Sequence, residues 1–80
     1  MELNAVVNTV DYGKIVITLD KALKKKGITK HKLAKLTNLD YRVVSRLHAN
    51  DNIVTIDIDF LARICYVLEC DLSEIMRYEK

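Results

Sequence analysis

Eighty residues make one small domain with a core of modest size. Half the residues are apolar and 30% are charged, the balance of an ordinary soluble protein, and no apolar run approaches the ~20 residues that span a membrane. With no proline and only two glycines, Gly13 and Gly27, the chain favours helix and leaves little room for a multi-turn β fold. The first residues do not read as a signal peptide, so a cytoplasmic location is expected.

Met1 to Tyr12 carries Leu3, Val6, Val7 and Val10 among polar residues. Asp11-Tyr12-Gly13-Lys14 reads as a turn, and the β-branched run Ile15-Val16-Ile17 predicts a short strand. A hairpin of Val6 to Val10 with Ile15 to Thr18 is one reading; a single extended arm is the other. A lone two-stranded hairpin is marginal in water, so this element should pack on a partner chain or on the C-terminal tail. Thr18 or Leu19 opens the first helix, with Leu19, Ala22 and Leu23 inward and Gly27 as its C′ residue. Ile28 precedes the next cap as a hydrophobic staple near Leu33.

The stretch Thr29 to His48, TKHKLAKLTNLDYRVVSRLH, predicts two short helices joined by a tight turn. Thr29 is an N-cap, because its hydroxyl oxygen can accept from a free N–H of the first turn. Leu33, Ala34 and Leu36 follow at helical spacing. Asn38 tolerates the left-handed conformation that ends one helix and redirects the chain. Leu39 plugs the corner and Asp40 caps the second helix, whose apolar face is Val43, Val44 and Leu47. Ala34 is small where the two helices must cross closely. This is a helix-turn-helix pattern, and such a second helix can enter a DNA major groove.

Ala49 to Ile56 reads as a loop with Ile53 and Val54 tucked beneath it. Asp57 or Asp59 caps the fourth helix, with Phe60, Leu61, Ile64, Cys65 and Leu68 inward. Asp71 caps a fifth, with Glu74 three residues on as a capping box and Leu72, Ile75 and Met76 inward. Arg77 to Lys80 can continue as helix, fray, or add a strand beside Ile15 to Ile17.

The net charge of +2 hides a strong polarity. Lys21 to His48 holds nine Lys and Arg against one acid, Asp40, a net +8; Met1 to Asp20 carries −2 and Ala49 to Lys80 −4. Positive charge concentrated on the helix-turn-helix is the footprint of a phosphate-binding face. For Lys24-Lys25-Lys26 a solvated helix end, favoured by the helix dipole, is an equal reading.

No catalytic constellation is present, so no enzyme activity is expected. His31 and His48 have no adjacent nucleophile or acid pattern and read as surface residues. Cys65 and Cys70 have no further Cys or nearby His, so they read as reduced thiols, with no metal and no cofactor implied.

The chain resembles the Cro/Xre-type, phage-repressor-like helix-turn-helix regulators. The resemblance rests on Leu33-Ala34, the turn Asn38-Leu39-Asp40, the pattern Val44-Ser45-Arg46-Leu47, and Asp59-Phe60-Leu61 through Leu68-Glu69-Cys70-Asp71-Leu72. It spans roughly Thr18 to Met76. The family's turn more often has Gly where Asn38 stands and Ser where Asp40 stands. The fold implied is an all-α, five-helix, lambda-repressor-like domain, with a small N-terminal β arm or hairpin left open. The division is residues 1–17 as arm or short β element, 18–76 as the domain with its motif at 29–48, and 77–80 as tail.

The recognition helix is then about Tyr41 to His48. Tyr41, Arg42 and Ser45 lie away from the Val44/Leu47 face and are candidate base contacts. Arg42 leads, since a guanidinium can pair with guanine O6 and N7 together. The resemblance adds Val43 as a base-edge contact and Lys30 as a phosphate clamp. Arg46 can touch phosphate, stay solvated or pair with an acid. Asn50 and Asn52 are candidate phosphate contacts, with turn formation an equal reading for Asn50. The function expected is a sequence-specific regulator on double-stranded DNA, acting as a homodimer on a near-palindromic site. The alternative is an antitoxin-like or adaptor module with a protein partner.

Overall fold

Each of the four α-helices stops at a residue in the left-handed conformation. The computed structural model describes residues 3–6, 11–50 and 53–80. Helices α1 (Leu19–Lys26), α2 (Lys30–Thr37), α3 (Tyr41–Ala49) and α4 (Ile58–Leu68) end at Gly27, Asn38, Asn50 and Glu69, with φ of 69°, 58°, 54° and 51°. The turned N–H of each closes on a carbonyl of its own last turn. The starts are capped by side chains in three cases. Thr29 Oγ1 accepts from the Lys32 N–H at 3.1 Å, Asp40 from Arg42 at 2.7 Å and Asp57 from Asp59 at 2.9 Å.

The core forms where these helices meet. Leu19, Ala22 and Leu23 enter from α1, Leu33 and Ala34 from α2, Val44 and Leu47 from α3, and Ile64 and Leu68 from α4. Ile17 and Ile75 close it from the two ends of the chain. Ile28, Leu39, Val43, Ile53, Leu61 and Cys65 pack around its rim.

The ends of the domain pair with each other. Strand β1 (Lys14–Ile17) runs antiparallel to β2 (Met76–Glu79), in the register Lys14↔Glu79, Ile15↔Tyr78, Val16↔Arg77, Ile17↔Met76. Thr18 extends the join: its N–H donates to the Ile75 carbonyl at 2.8 Å and its hydroxyl to that of Glu74 at 3.2 Å. Gly13 sits at the entrance with φ 84°, where a Cβ would come within 2.5 Å of the Glu79 carbonyl oxygen.

Several expectations are corrected here. Of the readings left open for Ile15 to Ile17, the strand at the C-terminal end is its partner in the sheet; the hairpin with Val6 to Val10 falls on residues 7–10, which lie outside the described residues. Among the described residues there are four α-helices, and the expected fifth is a single 3-10 turn, Leu72–Glu74. Its capping-box Glu74 does accept from the Asp71 N–H at 2.9 Å. The Ile75 N–H then closes on Leu72 three residues back, and Thr18 takes the Ile75 carbonyl, so the chain passes into β2. Leu72 is therefore half exposed, and the extended loop leaves Val54 at 90% exposure, not tucked beneath it. Leu36 is 50% exposed on the outer side of α2.

Candidate nucleic-acid interface

The orientation of α3 is set by the turn before it. Asn38 turns left-handed, and the Leu39 N–H returns to the Ala34 carbonyl at 3.1 Å. The hydroxyl of buried Thr37 donates to the Leu33 carbonyl at 2.7 Å. From α4, Arg63 donates Nη1 to the Thr37 carbonyl at 3.3 Å while its Nε binds Asp59 Oδ2 at 2.8 Å. Sequence reasoning missed Arg63. The Asp59/Arg63 spacing of four on one helix was a visible signal for the ion pair, but not for its reach to the turn.

Val44 and Leu47 are buried and fix which side of α3 faces outward. At about 100° per residue, Arg42 lies almost opposite them, with Arg46 and Ser45 to either side. Arg42 and Arg46 are exposed and Ser45 is half-buried. Arg46 thus shares the outward face of Arg42, one turn farther along. Val43 turns aside, half-buried, and lines a small cavity with Ile53, Ile56 and Phe60.

Tyr41 is held against α2. Its ring stacks on that of His31, with centroids 4.0 Å apart and planes 11° from parallel. Lys30 Nζ stands 5.8 Å from the same ring centroid. Lys30 also lines an open hollow with Asp20, Lys24, Thr29 and His48, between α1 and the start of α2. His31, read as a plain surface residue, therefore orients Tyr41; no local pattern announces a stack between two helices.

Arg42 is paired with the cap of its own helix. Its Nη2 lies 3.2 Å from Asp40 Oδ2 and its Nε 3.4 Å from Oδ1. These guanidinium hydrogen bonds, with the one from its backbone N–H, hold the Asp40 carboxyl below the usual carboxylate range and raise Arg42 in turn.

Asn50 has a structural task. Besides ending α3, its Oδ1 accepts from the Ile17 N–H at 3.1 Å. Asn52 lies outside the described residues. Elsewhere, Cys65 and Cys70 are free thiols, and burial pushes the Cys70 thiol up. Among the described residues no group of three or more His, Cys, Asp or Glu side chains is placed to hold a metal ion, and no helix is long and apolar enough to cross a membrane.

Solved structures share this fold. A candidate DNA-binding protein from Bacteroides fragilis superposes with a TM-score of 0.70 at 19% identity, covering 80% of this chain and all of that one. The transcriptional regulator VanUg superposes at 0.66 and 22% identity, over 92% of this chain and 97% of its own. No curated protein matches the chain. The sequence matches the Cro/C1-type HTH DNA-binding domain over residues 18–80, from the cap of α1 through β2. The chain therefore belongs to the family of Cro/C1-type helix-turn-helix DNA-binding domains.

Proposed function

We propose that this protein is a sequence-specific transcriptional regulator that reads double-stranded DNA with α3. The observation that carries this is the outward face of α3, where Arg42 and Arg46 project opposite buried Val44 and Leu47, within a segment of net charge +8. Arg42 reads a guanine and Ser45 donates to a base or phosphate. Tyr41, steadied by His31, meets a thymine methyl or a phosphate. Val43 can reach a base edge only from the side of the helix. Lys30 holds a phosphate at the start of α2, and Arg46 holds one from α3. Asn50 and Asn52 remain candidate phosphate contacts, with Asn50's side-chain carbonyl already engaged by Ile17.

A single reading helix covers one half-site, so the working form is a homodimer whose two α3 helices stand about 34 Å apart. Ile15 and Tyr78, opposite each other in the sheet and each 59% exposed, form one apolar surface for that dimer. Such a regulator works in the cytoplasm, without a cofactor and without catalysis.

Selection from a random DNA library, followed by affinity against salt, tests the proposal. The expected result is one enriched, near-palindromic motif whose affinity falls steeply with salt. No enrichment and no salt-dependent binding would turn the assignment to a protein-interaction module of the antitoxin or adaptor kind.

A further inference from the structure

A guanidinium offers two bidentate edges, Nε with Nη2 and Nη1 with Nη2. Asp40 occupies the first edge of Arg42, through Oδ1 to Nε at 3.4 Å and Oδ2 to Nη2 at 3.2 Å. The same Oδ1 accepts the Arg42 backbone N–H at 2.7 Å, so the cap of α3 anchors the carboxylate itself. The second edge stays open on a side chain that is 88% exposed. That is the fork whose parallel donors suit guanine O6 and N7.

We propose that Asp40 and Arg42 act as one reading unit: Asp40 is a positioning and specificity-determining residue that presents Arg42 to a guanine and selects an amino-bearing base, cytosine or adenine, beside it. The inference rests on the reading of α3 as the base-reading helix. Three physical points support it. An exposed ion pair contributes little to stability, and serine or asparagine would cap α3 about as well, so neither role calls for an acid in particular at this position. A free arginine must be ordered when it binds a base, whereas one held on its own helix has lost part of that freedom already. And a carboxylate at the mouth of a groove repels phosphates and the acceptors guanine O6 and thymine O4, but accepts from cytosine N4 or adenine N6. The Asp40 side chain is 51% exposed, and its three bonds leave one acceptor position of about four. An acid there lowers affinity for DNA in general and returns it as discrimination.

The test is selection from a random DNA library with the whole chain as wild type, Asp40→Ser, Asp40→Asn and Arg42→Ala. Serine and asparagine cap a helix about as well as aspartate, so melting temperatures should match and any change in motif reports the charge. The wild type should select a guanine next to cytosine or adenine. Both Asp40 variants should bind random-sequence DNA as tightly or more tightly, and should admit guanine and thymine at the neighbouring position. Discrimination for the guanine itself should fall about two- to fivefold, the scale of an exposed ion pair. Arg42→Ala should lose the guanine. If the Asp40 variants select the wild-type motif with undiminished sharpness, Asp40 is a cap alone and the inference falls while DNA reading stands. Retention of the guanine by Arg42→Ala would overturn it equally. If the wild type selects no motif, the base-reading role of α3 fails and this inference fails with it.

Discussion

Asn50 Oδ1 accepts the backbone N–H of Ile17 at 3.1 Å, tying the end of α3 to the strand that closes the domain. The same residue holds φ 54°, so one side chain ends α3 and fastens β1. Asn50→Ala should cost about 1–3 kcal/mol, from a lost hydrogen bond and a left-handed Cβ less tolerated in alanine than in asparagine. Asn50→Gly relieves the backbone and loses only the bond, so it should lie between Ala and wild type. Urea denaturation of the three proteins gives the order; if Ala and Gly are equally destabilised, the left-handed conformation matters less than the bond.

Glu69 ends α4 at φ 51°, a conformation that L residues with a Cβ adopt at a cost. Gly27 occupies the equivalent place on α1. Glu69→Gly should therefore stabilise the fold by about 0.5–1 kcal/mol, the left-handed penalty less the entropy of a glycine in the unfolded chain. A raised melting temperature is the expected reading.

Local chemistry was legible in the sequence. Thr29, Asp40, Gly27 and Asn38 act within three or four residues of themselves, and each does what its side chain or lack of one dictates. What the sequence did not disclose is long-range. β1 finds its partner at the opposite end of the chain, and only the open option of a strand at Arg77 to Lys80 touched on that. Leu72 to Met76 has the cap and apolar spacing of a helix, yet Thr18 captures the Ile75 carbonyl and diverts it. At the site, the Arg63 bond to Thr37 and the His31–Tyr41 stack join separate helices, so spacing along one helix could not reveal them.

Ala34 is buried on α2, a helix that packs against α3. Ala34→Leu should lower stability by about 1–3 kcal/mol through overpacking. A melting temperature equal to wild type would mean that the two helices can part without cost at this point.

Cys70 is raised chiefly by burial, then by the neighbouring Cys65 and Glu74. Its thiol should stay protonated to higher pH than a free cysteine and react more slowly with iodoacetamide at pH 8. The sign for stability follows: the folded state holds this proton more tightly, so stability falls as pH rises from the ordinary thiol value toward the folded one. Cys70→Ala should flatten that alkaline slope in denaturation measured from pH 8 to 10.

In the proposed mode of binding, Lys30 and Arg42 make the two different kinds of DNA contact. Lys30 stands beside Tyr41 at the start of α2, in a hollow that it shares with Lys24, Asp20 and His48. Arg42 stands on the outward side of α3, held by Asp40. Loss of a phosphate contact weakens binding to every sequence alike and flattens the plot of log affinity against log salt by about one unit. Loss of a bidentate arginine–guanine pair costs about 1–3 kcal/mol and relaxes the preference at one position. Lys30→Ala should therefore bind all operator variants less tightly by a common factor, with a shallower salt slope. Arg42→Ala should bind the best site less tightly but leave the poorest sites almost unchanged. Affinities of both variants over a set of singly mutated operators distinguish the two. An even loss over all sites for Arg42→Ala would make Arg42 a backbone contact and shift base reading to Arg46 and Ser45, its neighbours on the outward face.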